Sequence, residues 1–255
     1  MATKRQSSAF EKYAHEYDLI TNAAQREKYH RKEVDALIAR FRPRSVLDAG
    51  CASGLTAMLF ARRGVAAVGL DHSRRMIEVA KEKFKNVDLP LEFRWGDFER
   101  LPKKLHEKFD LVVCLANSIS GVNTLTGLKR SLKNFRAVLK PGGHLVLQML
   151  NYAAVKEDTL FPIKVTENNG IVYERFSERR GRRIYVYVIR LDLNQKPPGY
   201  EIFRHESDNY NVDVVSRGVA QAGFAGIHKF GDLYLKKRFG RSSRDLVIIG
   251  RRPGR

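Results

Sequence analysis

The sequence predicts an α/β chain: a doubly wound, mostly parallel sheet covered by helices on both faces, with an antiparallel β insertion. Three observations carry this. Between residues 46 and 150, apolar runs of strand length alternate with stretches of helical periodicity. The first run breaks into the small-residue turn Gly50-Cys51-Ala52-Ser53-Gly54, which opens a helix and leads to a second run ending in Asp71. Between 153 and 210 the rhythm changes to consecutive strands joined by hairpin signals. We expect a single domain over 1–255, with a helical cover at 1–44. The insertion at 153–210 is expected over one edge of the main sheet, as a substrate lid.

Ser8-Ala9-Phe10-Glu11 is a capping box, a hydroxyl with Glu three residues on. The helix it opens carries Phe10, Tyr13, Ala14 and Tyr17 on one face, a stripe whose first reading is packing. A second helix, Gln25 to Phe41, ends before Pro43. Val46-Leu47-Asp48-Ala49 is a buried strand. Gly50 and Gly54 then remove side chains where the backbone bends sharply and a ligand comes close. The helix Leu55 to Arg63 presents its first N–H groups to a polar ligand. The strand Val65 to Leu70 ends in Asp71, about 20 residues after Gly50, where a carboxylate at a strand tip can hold the two hydroxyls of a ribose.

Ser73 caps a helix reaching Phe84. Leu91 to Trp95 alternates like a strand and ends in Gly96-Asp97-Phe98. That tip offers a carboxylate to an adenine amino group and a ring to its face, or else is a turn with a core Phe. Phe109 to Leu115 is a strand running into Ala116-Asn117-Ser118. A helix from Thr124 to Leu139 stops at Pro141-Gly142-Gly143, and His144 to Leu150 is the next strand. In the insertion, Ile163–Thr166, Ile171–Ser177, Arg183–Asp192 and Tyr200–Tyr210 are strand-like, with turns at Asn169-Gly170 and Arg180-Gly181. Asn211 caps a helix over 212–222, and Gly226–Phe230 and Leu246–Ile249 close the sheet.

Two cysteines, Cys51 and Cys114, cannot build a disulfide framework and have no zinc-ligand spacing, so we read them as a reduced pair. No stretch has the length of a membrane span and no apolar signal core follows Met1, so we expect a cytoplasmic protein. With 47 Lys and Arg against 28 Asp and Glu, the formal charge is +19. That balance suits a polyanion such as RNA, but its even spread suits a solvated or heat-adapted surface equally well.

Taken together, the motifs resemble those of the class I S-adenosylmethionine-dependent methyltransferases. Residues 46–54 match the glycine-rich first motif, with Ala52 where a middle glycine is more usual. Gly69-Leu70-Asp71-His72-Ser73 resembles the acidic second motif, Gly96-Asp97-Phe98 the adenine-side motif, and 139–143 the turn before strand five. Residues 114–118 and 147–152 are similar to small-molecule enzymes of the glycine/sarcosine N-methyltransferase kind. The resemblance implies a Rossmann-like seven-stranded sheet whose last strand is antiparallel, with S-adenosylmethionine lying across the strand tips.

It also implies roles for residues. Asp48, Gly50, Cys51, Ala52 and Gly54 would bound the methionine end, and Asp71 would hold the ribose. Met76 or His72 would flank the adenine, and Asp97 and Phe98 would complete its site. Leu115 and Asn117 would line the path to the acceptor. Tyr17 matches an N-terminal aromatic that folds over the cofactor, where a cation–π contact to the sulfonium would be attractive; core packing remains its other reading. For acceptor binding we select Tyr152, and Arg175 because a guanidinium suits a carboxylate.

Methyl transfer from a sulfonium is an in-line displacement that needs alignment more than acid–base help, so no catalytic base and no metal ligand is assigned. The expected reaction is methylation of a small-molecule acceptor, an amine before others. The alternatives are an RNA methyltransferase, motivated by the charge, and a non-catalytic protein that binds adenosylmethionine.

Overall fold

The computed structural model describes residues 9–208 and 210–254; Ser8 of the expected capping box lies outside them. Ala9–Lys12 (α1), a 3-10 turn at Ala14–Glu16, Tyr17–Thr21 (α2) and Ala23–Phe41 (α3) precede the first strand. The sequence predicts one continuous helix for the first of these stretches, and the structure breaks it at Tyr13 (φ −111°, ψ 41°). The reason is tertiary: the Tyr13 ring packs edge-on against Tyr173 and Phe203, 6.3 and 5.7 Å between centroids. Asn22, in the left-handed region, then starts α3 two residues earlier than predicted, its side chain accepting from the Gln25 N–H at 3.2 Å.

The main sheet is built from Ser45–Ala49 (β1), Leu55–Ala61 (α4), Ala66–Asp71 (β2), Arg74–Lys83 (α5), Leu91–Trp95 (β3), Phe109–Cys114 (β4), Leu125–Val138 (α6) and Leu139–Leu150 (β5). Cap residues set the helix starts: Ser73 accepts from Met76 N–H at 3.1 Å and Thr124 from Gly127 N–H at 3.0 Å. The predicted helix stop at Pro141-Gly142-Gly143 is corrected by the structure. α6 ends at Val138 and β5 begins at once, so these residues form a bulge inside the strand, with Gly142 at φ +84°. The register to β4 jumps there from Phe109↔Leu139 to Leu111↔His144. Breaker residues end a helix, but the sequence alone does not separate a loop from a bulge.

After β5 come Leu160–Asn168 (β6), Ile171–Arg180 (β7), Arg183–Asp192 (β8) and Gly199–Asp208 (β9), then Val212–Gln221 (α7), Ala225–Phe230 (β10) and Asp245–Arg251 (β11). The seven-stranded sheet has the order β10-β11-β5-β4-β1-β2-β3. Its central strands are parallel, and β11 is antiparallel to both neighbours. One apolar cluster packs α6 and α7 on one face and another packs α3, α4 and α5 on the other, the doubly wound arrangement.

β6 to β9 form a separate antiparallel sheet in sequential order, joined through Asn169-Gly170, both at positive φ, and through Gly181. Its inner face closes on the N-terminal cover: Tyr173 and Val188 bury against Ile20, with Phe10, Tyr13 and Leu19 packed around them. Tyr173 also donates to Glu16 at 2.6 Å, and Arg190 pairs with the same carboxylate. The cover is thus held between the small sheet and the strand tips.

Candidate functional site at the strand tips

The turn from β1 to α4 runs through three left-handed residues, Gly50 (φ +88°), Ala52 (φ +47°) and Gly54 (φ +85°). It is fastened to the tip of β2. The Gly50 and Cys51 N–H groups donate to Leu70 C=O at 2.7 and 3.1 Å, and Ala52 N–H donates to Asp71 Oδ2 at 2.9 Å. Asp71 Oδ1 accepts from Ser73 N–H at 2.9 Å. Each carboxylate oxygen of Asp71 therefore spends one lone pair on backbone and keeps another. Two acceptor positions side by side at a strand tip fit a vicinal diol.

Asp48 is buried, accepts from Ala57 N–H at 3.2 Å, and is pushed up to about 7 by burial. Cys51 and Cys114 are buried free thiols, both with pKa raised by burial, as expected of a reduced pair. The carboxyl of Asp48 stays protonated in the fold through a range where the unfolded chain has released the proton, about pH 4 upward. Its contribution to stability is therefore full below about pH 4, falls as pH rises to about 7, and is flat beyond. Asp48→Asn keeps an oxygen for the Ala57 N–H. It is expected to melt level with the parent chain near pH 4 and above it at about pH 8. A melting difference that does not change with pH would remove the raised pKa.

At the adenine side, Asp97 is exposed and its Oδ1 accepts from Glu99 N–H at 2.9 Å, while Phe98 is buried edge-on against Phe135. Phe98 is a core ring, the second of the two readings its sequence position allows, and its tip lies 3.3 Å from the point a Cβ on Gly50 would occupy. His72 is exposed with Nδ1 3.4 Å from Asp71, and Met76 is buried in the first turn of α5. Trp95, the chain's single tryptophan, is exposed at the tip of β3 and donates from its ring nitrogen to His72 C=O at 2.9 Å.

Towards the acceptor, Leu115 is buried and Asn117 is a fastener. Its side-chain oxygen accepts from Leu150 N–H at 2.6 Å, joining the tips of β4 and β5. Sequence reading missed three residues here. Ser118 donates to Leu115 C=O at 2.8 Å and fills the space over Gly50 so tightly that a Cβ there would meet its Oγ at 2.4 Å. Gln148 accepts from Ala116 N–H at 2.6 Å and donates to Asp245 at 2.6 Å. Ser53 donates to Asp18 at 2.7 Å, tying the cover to the glycine turn. Small polar residues flanking a strand tip are the available signal for the first and third of these.

Tyr17 stands between the Phe10 ring, 5.8 Å away, and the Arg26 guanidinium, 5.8 Å from its centroid. Arg26, unforeseen from sequence, acts electrostatically on both Asp48 and Arg175. Arg175, on the inner face of β7, has its pKa lowered by burial and by the Arg26 charge, against a raising influence of Tyr17. Its Nε is buried with no hydrogen-bond partner among the described residues. Tyr152 is buried, its hydroxyl pushed up to about 12 by that burial.

Residues 46–143 match the family model described as a methyltransferase domain. Those residues form a methyltransferase domain of the class I S-adenosylmethionine-dependent kind. The methyl donor of the family is S-adenosylmethionine, and the diol-ready Asp71 and the exposed Asp97 beside it suit its nucleoside.

Among curated relatives, a glycine/sarcosine N-methyltransferase of Parasynechococcus marenigrum is 29% identical over 199 residues, covering 74% of this chain and 66% of that protein. A ubiquinone biosynthesis O-methyltransferase of Coxiella burnetii is 32% identical over 106 residues, and the match spans 42% of this chain and 43% of the relative. The sugar N-methyltransferase KedS8 of Streptoalloteichus superposes with a TM-score of 0.73 at 20% identity, covering 99% of each chain. The CcbJ methyltransferase of Streptomyces caelestis superposes with a TM-score of 0.75 at 21% identity, over 88% of this chain and 90% of that one. The solved structures speak for the fold: a Rossmann-like sheet with an antiparallel insertion, as the motifs imply. The RNA reading gains no support from these relatives, and no helix among the described residues is long and apolar enough to cross a membrane.

Proposed function

We propose that the chain transfers the methyl group of S-adenosylmethionine to the nitrogen of a small acceptor that also carries a carboxylate or similar anion. One observation carries the reading: the Arg175 guanidinium is partly buried on the inner face of the small sheet with an unpartnered Nε. A buried guanidinium without its hydrogen bonds is costly, and an anion completes them. Support comes from the relatives named for glycine and sarcosine, small amines that each carry one carboxylate.

When bound, the sulfonium supplies an already activated methyl group. The chain's own work is alignment. Asp71 and Asp97 hold the nucleoside, Arg26 faces the methionine end near Asp48, and Arg175 holds the acceptor's anion. Tyr17 lines the space between them, and the β6–β9 sheet excludes water as a lid. The two guanidinium charges also disfavour an ammonium on the acceptor, leaving its nitrogen lone pair free for in-line attack. No protein base is then required.

Turnover with labelled donor against a panel of glycine, sarcosine, an amino sugar and a catechol tests the class: a carboxylate-bearing amine should be the preferred acceptor. Arg175→Ala should raise the acceptor KM by about 10- to 100-fold, the worth of a charge-assisted pair. kcat should fall by less than KM rises, through the lost Arg175 charge, and donor affinity should be unaltered. Arg175→Lys should recover part of the loss. An unchanged KM, or a loss of melting temperature in place of a KM effect, would make Arg175 a structural residue and sink the proposal.

A further inference from the structure

The backbone just past β4 is held in an unfavourable shape. Ala116 and Asn117 both lie in the left-handed region, at φ +53° and +67°, the one adjacent non-glycine pair to do so among the described residues. Asparagine tolerates that region, but alanine has no polar side chain to bond locally there. Such backbone persists only where its surroundings over-determine it. Here the surroundings are Gln148. Its side-chain oxygen accepts from Ala116 N–H at 2.6 Å, and its C=O accepts from Asn117 N–H at 3.4 Å.

A glutamine amide can sit either way round, and only one sense suits the tip: oxygen towards the Ala116 donor. Asp245 selects that sense. Its Oδ1 accepts from Gln148 Nε2 at 2.6 Å, and an ionised carboxylate has no proton to offer the reversed amide. Asp245 is itself anchored through the residues before it. Asn151 N–H donates to Arg244 C=O at 2.8 Å, and Asn151 Nδ2 donates to Ser243 C=O at 2.9 Å. Strand order explains the reach. β5 runs between β4 and β11 with Gln148 opposite Val247, so Asp245 lies two residues away on the same face of β11. Gln148 is buried, so water is poorly placed to take over either bond.

We propose that Gln148 and Asp245 are positioning residues for methyl transfer, a clamp from β11 through β5 to the β4 tip; this role rests on reading residues 115–117 as a wall of the acceptor path. In-line displacement is sensitive to placement: a shift of about 1 Å costs about 100-fold in rate. Two residues in sparsely populated conformations relax towards favoured ones once their tie is cut, and the wall moves with them. The acceptor still binds through its other contacts, but it meets the methyl group out of line.

Gln148→Met keeps the length and the burial of the side chain and removes both its bonds. On whichever acceptor the parent chain methylates, kcat should fall about 30-fold, while acceptor KM and donor affinity move by less than about threefold. The exchange Gln148→Glu with Asp245→Asn rebuilds the clamp with its polarity reversed, one carboxylate accepting from Ala116 N–H and from the new amide. It should bring kcat back to within about threefold of the parent. Gln148→Glu alone sets two carboxylates against each other and should stay slow. Should Gln148→Met fail to fold, Asp245→Ala carries the same test at a half-buried position. It leaves the Gln148 amide free to turn, and kcat should fall about tenfold. A kcat within about threefold of the parent in Gln148→Met, or in Asp245→Ala where that replaces it, overturns the proposal. So does an exchange as slow as Gln148→Met, or a loss of donor binding as large as the loss of kcat, either of which makes the pair merely structural. A parent chain that prefers some other acceptor sinks the carboxylate-bearing amine alone, because each ratio is taken on the acceptor it does methylate.

Discussion

Asp71→Ala is expected to weaken S-adenosylmethionine binding about 100-fold, the largest affinity loss of any single side chain at the strand tips. Two hydroxyls bound by one carboxylate are charge-assisted contacts of about 1.5 to 3 kcal/mol each against water. The site gives back part of that sum, because alanine leaves no buried charge behind. A net loss of about 3 kcal/mol corresponds to about two decades in affinity. Asp71→Asn separates two components. Its oxygen can still accept one of the two backbone N–H groups that Asp71 takes from Ala52 and Ser73, so the turn keeps part of its anchorage while the diol loses its charged acceptor. An intermediate loss, about tenfold, is expected for it. Both can be read by calorimetry or by the fluorescence of Trp95, the sole tryptophan, whose ring is bonded to the loop after Asp71. Unaltered affinity in Asp71→Ala would mean the ribose lies elsewhere.

Asp71 was legible in the sequence, and the contrast with Arg26 shows why. The strand, turn, helix, strand and acid from 46 to 71 is a local unit: each residue's neighbours in space are also near in sequence, so spacing alone places the carboxylate at a tip. Arg26 lies on an amphipathic helix whose surface residues all read alike. Its position over Tyr17 depends on the break at Tyr13, and that break depends on Tyr173 and Phe203, at least 160 residues later in the chain. Periodicity sees a continuous helix because the rings that interrupt it are distant in sequence. Arg175 occupies a middle ground. Chemistry suggested it, but only the sheet's register shows that it shares the covered face with Tyr173. Asn117 illustrates the converse. Chosen at a strand tip for reach towards a ligand, it holds neighbouring backbone in place, as the unforeseen Ser118 beside it does.

Gly54→Ala is expected to be strongly destabilising, for a reason that a control can isolate. At φ +85° any L side chain is strained, by about 1 to 2 kcal/mol. The added Cβ would also sit 2.5 Å from two carbons of the Phe93 ring and 3.2 Å from Phe84. Phe93 cannot swing away: it is buried, stacked on Phe84, and already presses on the other side against Gly69, whose own Cβ would meet it at 2.7 Å. Overpacking of this kind costs about 1 to 3 kcal/mol more. At about 2 to 4 °C per kcal/mol for a chain of this size, the melting temperature should fall by about 5 to 15 °C. Gly64 offers the comparison, with φ +76° and nothing within 4 Å of a new Cβ. Gly64→Ala should therefore show the backbone strain alone, and the difference between the two variants measures how hard Phe93 bears on the turn. Equal melting temperatures would show that the ring yields. A larger loss in Gly54→Ala, joined to weaker donor binding, would show that the glycine is needed to seat the β1–α4 turn against Asp71 in the geometry the cofactor requires.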